Sequence, residues 1–162
     1  MTNFSPIRRQ DRLLNEKRIS ELLENGEYGF LSLGIDNNGY AYGIPISFVY
    51  DQAQHALYFH CAPEGHKMEI LKKNQDVSFC IVGNTCPIPG QFTTLYESVI
   101  LFGKADIHLD DEEKRAALRK LVEKYCPEYK ETGEKYIEKS FQRTHTIKLS
   151  IEHITGKSKP GK

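Results

Sequence analysis

Several classes of protein are removed by what this sequence lacks. It has no excess charge, since Lys and Arg number 22 and so do Asp and Glu. Coating a nucleic acid takes surplus positive charge to displace counterions, so a large nucleic-acid footprint is excluded, although a local basic pocket is not. No apolar run approaches the roughly 18 residues of a membrane-crossing helix, so no membrane partner is expected. The stretch from Met1 to Arg12 is polar and carries no apolar core of a secretion signal, from which a cytoplasmic location is expected. Cysteine is sparse: Cys61, Cys80, Cys86 and Cys126 form no C-x-x-C pair and read as free thiols. Cys61 and Cys80 lie in apolar strand contexts and are expected to pack as small hydrophobes. There is no P-loop, no G-x-S-x-G elbow and no G-x-G-x-x-G after a first strand. No repeat, low-complexity tract or linker divides the chain, so residues 1–162 read as one domain long enough for a real core.

What is present reads mostly as strands in hairpin order. Asn15 precedes a helical pattern from about Glu16 to Asn25, with Ile19, Leu22 and Leu23 on one face and Gly26 closing it. A strand from Tyr28 to Ile35, the turn Asp36-Asn37-Asn38-Gly39 and a returning strand from Tyr40 to Tyr50 form a hairpin. After a turn at Asp51 to Gln54, a third strand covers Ala56 to Cys61. The chain breaks at Ala62-Pro63-Glu64-Gly65 and enters a short helix whose apolar positions are Met68, Ile70 and Leu71. A fourth strand spans about Asp76 to Val82, and Gly83 to Phe92 reads as a loop broken by Pro87 and Pro89. A long strand from Thr93 to His108 contains Gly103, which predicts a bulge or a sharp bend. Asp110 or Asp111 caps a charged helix to about Tyr125, with Ala117, Leu118, Leu121 and Val122 inward and Cys126-Pro127 ending it. A shorter helix covers Glu134 to Phe141, the last strand Thr144 to Ile154, and a polar tail runs from Thr155, loose at its end. The fold expected is mainly β with covering helices, a small six-stranded antiparallel barrel.

Two places are suited to a ligand. Gly65, His66 and Lys67 start a helix, where free backbone N–H groups, the positive dipole end and a lysine suit a phosphate, although the charge of Glu64 opposes it. This predicts a protein that holds a phosphorylated small molecule; the alternative is a routine helix start with a solvated lysine. In Tyr42 to Phe48, Pro45 has no N–H for a ladder and Gly43 permits close approach. That strand is either an ordinary edge or one whose backbone meets a ligand. His60, at the end of an apolar strand, is either a hydrogen-bonded core residue or a catalyst. His60, Cys61 and His66 fit no common zinc spacing, so no metal is expected.

Four ordered blocks carry a family resemblance: Ile44 to Phe48, Leu57 to Lys67, Phe92 to Ala105, and His153 to Lys157. Together with Arg8 to Arg12, they resemble the pyridoxamine 5′-phosphate oxidase-related flavoproteins, in the branch that includes nitroimidazole-resistance proteins. The resemblance covers nearly the whole chain. It implies a split β-barrel that binds FMN, as a homodimer with two sites at the interface. It implies that Ile44, Pro45, Ile46 and Ser47 line the flavin ring. It implies that His60, Gly65, His66 and Lys67 surround the ribityl-phosphate end. Thr93, Thr94, Tyr96 and Ser98 would lie near the site or the dimer seam, reaching it from the partner subunit. The branch's flavin-side histidine corresponds by block position to His60. The chain has no tryptophan and lacks the arginine-rich substrate set of true pyridoxamine phosphate oxidases, which argues against vitamin B6 oxidation. The expected function is an FMN-dependent oxidoreductase taking a small-molecule substrate, such as a nitro compound or quinone reduced with NAD(P)H. The alternatives are a non-catalytic flavin-binding or storage protein and a haem-binding split barrel.

Overall fold

The computed structural model describes residues 4–160. Seven strands form one antiparallel sheet: β1 (Tyr28–Ile35), β2 (Ala41–Ser47), β3 (Val49–Asp51), β4 (Ala56–Cys61), β5 (Asp76–Ile88), β6 (Thr93–Asp106) and β7 (His145–Lys159). Their order across the sheet is β2-β1-β5-β6-β7-β4-β3. Four α-helices attach to it: α1 (Glu16–Asn25), α2 (His66–Leu71), α3 (Asp111–Tyr125) and α4 (Lys130–Ser140).

The strand count differs from the six expected because the strand predicted from Tyr40 to Tyr50 is two strands. Phe48 interrupts it, and β2 and β3 lie on opposite edges of the sheet. One intervening residue spans at most about 7 Å, so the sheet must curl until its edges meet at Phe48. No ladder joins β2 to β3, and the sheet is not closed.

Two other segments differ from the sequence reading. Most of the predicted loop from Gly83 to Phe92 is strand: Thr85 to Ile88 pair with Tyr96 to Thr93, and Pro87 sits opposite Thr94. Only Pro89–Gln91 turns, followed by Phe92 at φ 50°. The polar tail is also strand to Lys159, because Tyr96, Glu97 and Ser98 pair with Lys159, Ser158 and Lys157. Hydrophobic patterning misses both, since each is held by ladder hydrogen bonds rather than by apolar burial. The loose end expected at Gly161 and Lys162 lies outside the described residues. The second helix of the α3–α4 pair begins at Lys130, earlier than predicted.

Two cores flank the sheet. One fills the inside of the curl, where Leu31, Phe48, Phe59, Phe79 and Leu101 pack with Leu23 of α1 and Met68 and Leu71 of α2. The other lies between the opposite face of β3–β4 and the α3–α4 hairpin, joining Ala56 and Tyr58 to Leu118, Leu121, Ile137 and Phe141. β4 is apolar at every position from Ala56 to Phe59 because it is covered on both faces. Asn15 caps α1 by accepting the Arg18 N–H at 2.8 Å, and Asp110 caps α3 through Glu113 at 2.8 Å. A forked Arg18–Glu97 pair, at 3.0 and 2.8 Å, fastens α1 to β6.

The bulge anticipated at Gly103 is present, with the β6–β7 register shifting between Phe102 and Gly103. A Cβ there would stand 2.0 Å from the Ser150 carbonyl oxygen, so the strands close only over a glycine. Gly103→Ala should lower unfolding stability by about 1–3 kcal/mol in urea denaturation, through overpacking against backbone. Gly90→Ala, with open space around it, should leave stability unchanged.

Candidate functional site

The site residues expected from sequence fall into three groups. The first is β2, whose edge character Pro45 foretold: it pairs only with β1. Ile44 and Ile46 lean on the inner core, while Pro45 is exposed. The backbone groups on the strand's far side have no ladder partner.

The second is the corner between β4 and α2. Gly65 turns it at φ 118°, with nothing within 4 Å of where a Cβ would stand, and no side chain caps the helix that follows. His66 is occupied. Its Nε2 lies 3.3 Å from Asp36 Oδ2, its Nδ1 3.6 Å from Glu69 Oε2, and its ring stands edge-on to Tyr42 at 4.6 Å. The N–H of Tyr40, and then that of Asn38, hold the Asp36 carboxyl below the ordinary aspartate range. These contacts tie His66 to the β1–β2 turn. Lys67 is half-buried beside Cys61 and makes no ion pair among the described residues.

The third is the start of β6. Thr93, Thr94, Tyr96 and Ser98 lie on the long β5–β6 arm, beyond the last β1–β5 pair at Phe30–Cys80. Ser98 neighbours Lys157 near one end of β7, whereas Cys61 neighbours His145 at the other. Twelve residues of strand, about 40 Å of chain, separate those two points. Along β7 these four residues therefore lie at the opposite end from the β4–α2 corner of the same chain. Burial acts to raise the Tyr96 pKa, but Arg12 and Lys157 beside its hydroxyl outweigh it and draw it below the ordinary tyrosine value.

Ser47 and His60 do come together, in a cleft of about 450 Å³ between the sheet and the α3–α4 hairpin. His60 is accessible from the cleft yet crowded by protein on its other sides, and that burial lowers its pKa. Sequence reasoning missed the helical wall of this cleft, including Tyr125, Cys126 and Tyr136. It also missed the grip on Phe48. The Tyr125 hydroxyl accepts the Phe48 N–H at 3.0 Å and has one proton for the carbonyl of Glu27 (2.5 Å) or of Phe48 (2.8 Å). Lys124 Nζ donates to the Phe48 carbonyl at 2.9 Å and lies 3.9 Å over its ring. No local signal at Phe48 announces partners 76 and 77 residues away.

The outer face of the sheet carries an apolar row. Pro45, Phe30, Cys80 and Ile100 align in one row across β2, β1, β5 and β6. Tyr28 and Val82 stand beside them, exposed at 60% and 61%.

The family model described as pyridoxamine 5′-phosphate oxidase matches residues 15–158. The chain belongs to this family. No curated protein matches it. Solved structures of the same fold include a candidate 5-nitroimidazole antibiotic resistance protein from Bacteroides thetaiotaomicron VPI-5482. It is 24% identical with a TM-score of 0.72, covering 91% of this chain and 86% of that one. The conserved hypothetical protein Rv2991 from Mycobacterium tuberculosis is 14% identical with a TM-score of 0.79, covering 97% and 96%. An FAD and heme binding protein from Mycobacterium smegmatis is 18% identical with a TM-score of 0.72, covering 91% and 72%.

Burial pushes the Lys124 pKa down to about 8. The unfolded chain holds that proton to about 10.4, so between those values it binds more protons than the folded state, and stability rises with pH. In denaturant titrations from pH 7 to 10, wild type should gain stability relative to Lys124→Met above pH 8. Parallel curves across the range would contradict the assignment.

Proposed function

We propose that this chain is an FMN-binding split barrel, working as a homodimer and catalysing an FMN-dependent oxidoreduction. The family match across residues 15–158 is the observation that carries the reading. The residues present fit the cofactor. The unpaired backbone of Ile44 to Ser47 offers donors and acceptors to the flavin ring, and Gly65 gives close approach without a side chain in the way. Lys67 is suited to the ribityl-phosphate end, whereas His66 is engaged by Asp36 and Glu69 and His60 faces the neighbouring cleft. The flavin, when bound, supplies the hydride or electron chemistry; the chain binds and orients it. Backbone N–H groups of β2 near the ring stabilise negative charge there as fixed dipoles.

The second copy completes the site. Thr93, Thr94, Tyr96 and Ser98 are separated from the corner of their own chain along β7, which supports their contribution to the site of the other protomer. The apolar row Pro45, Phe30, Cys80, Ile100 is the surface proposed to be covered by that copy. A nitro compound or quinone is the proposed acceptor and NAD(P)H the donor. Oxidation of NAD(P)H with such an acceptor separates this enzyme from a flavin-storage protein, which would stay inert. Relatives named as flavocytochrome and as FAD and heme binding favour haem as a second reading. A Soret band on haem titration without flavin uptake would support it.

Purified protein should be yellow, and the flavin released by heat should chromatograph as FMN. Release of FAD would refute the choice of FMN, and colourless protein that takes up no flavin would refute the reading. Lys67→Ala should weaken FMN by about 1.5–3 kcal/mol while affecting riboflavin little, since only FMN carries the phosphate. Equal loss for both ligands would remove Lys67 from the phosphate site. Ile100→Arg should convert a species of twice 18.6 kDa into one of 18.6 kDa by light scattering, with the circular dichroism unchanged.

A further inference from the structure

The cleft under the α3–α4 hairpin has a chemistry of its own. Its volume, about 450 Å³, falls within the range of roughly 300–1,000 Å³ typical of small-molecule sites. Its floor is Leu118, Leu121 and Ile137, all buried. No carboxylate, ammonium or guanidinium lines it. Most of its hydroxyls are turned to the protein. Ser140 Oγ donates to the Tyr136 carbonyl at 2.7 Å, Thr144 Oγ1 to the Ser140 carbonyl at 3.0 Å, and the Tyr125 hydroxyl is engaged with Phe48 and Glu27. His60 differs. Its imidazole faces the cleft and has no hydrogen-bond partner among the described residues.

We propose that this cleft binds an uncharged, flat, mainly apolar ring compound of the quinone class, with one ring oxygen accepting a hydrogen bond from His60. A neutral imidazole carries one N–H, enough for a single carbonyl acceptor. An anionic ring is rejected, because the lining offers its charge no partner and burial would strip its water. As the acceptor side of the flavin reaction the assignment rests on that reading; as a binding site it stands on the cleft alone. It places the α3–α4 hairpin, rather than the β4–α2 corner, in control of which compound enters.

The test uses the full-length protein and calorimetric titration with 2,3-dimethyl-1,4-naphthoquinone, which has no free ring position for the exposed Cys126 thiol to attack. Its counterpart is 2-hydroxy-3-methyl-1,4-naphthoquinone, anionic near neutral pH. The neutral quinone should bind at least about tenfold more tightly than the anion. His60→Phe should weaken the neutral quinone about fivefold and leave 2,3-dimethylnaphthalene, which has no oxygen, unchanged. Tyr136→Ala, at a residue 62% exposed on the cleft's rim, should weaken both neutral ligands with the fold intact. Equal affinity for quinone and anion, absence of binding, or insensitivity to His60→Phe or Tyr136→Ala would overturn the proposal. Flavin content, read by absorbance on the same samples, separates the two ideas. Flavin-free protein that binds the quinone sinks the flavin reading alone, and yellow protein that ignores it sinks the cleft alone.

Discussion

The main chain of Phe48 is the joint on which the structure turns. It joins β2 to β3, strands that are neighbours in sequence and opposite edges in the sheet. A residue making that crossover belongs to neither ladder, so its buried N–H and C=O must be paired elsewhere. Tyr125 and Lys124 at the end of α3 do this, while the Phe48 ring packs edge-on to Phe79 inside the curl. The same grip anchors the α3–α4 hairpin to the sheet. Half-buried there, Lys124 has its pKa pushed down to about 8 by the loss of water around it.

Two consequences follow for function. The crossover leaves β2 with one unpaired edge, beside the corner where β4 gives way to α2. It also opens the cleft in which Ser47 and His60 face the helical hairpin. Electrostatics divides the two. At the corner, Asp36 holds His66 to the β1–β2 turn and Lys67 makes no ion pair among the described residues; in the cleft, charge is absent and most hydroxyls are turned to the protein. A net charge of zero thus conceals a corner that carries Lys67 next to a cleft with no charged lining. The long β5–β6 arm carries Thr93, Thr94, Tyr96 and Ser98 beyond the last β1–β5 pair.

Much of the local structure was legible. The capped helices at Asn15 and Asp110, the Asp36–Gly39 turn, the edge character signalled by Pro45 and the bulge at Gly103 each follow from backbone chemistry within a few residues. The errors share a cause. Gly83 to Ile88 and Thr155 to Lys159 are strand without an apolar pattern, because pairing with β6 rather than burial makes them so. Of the candidate site, the glycine-capped helix start that carries Lys67 was readable. The engagement of His66 with Asp36 was not, since it joins positions 30 residues apart.

By itself the sequence determined the mainly β character, the turns, the helix caps and the family, because each depends on residue types in short or ordered blocks. The tertiary structure decided that one predicted strand is split between two edges, that Ser47 and His60 share a cleft, and that Ser98 and Cys61 meet β7 at opposite ends. Those relations arise from how the sheet curls, and curl is set by contacts such as Tyr125 on Phe48, whose partners no local pattern announces.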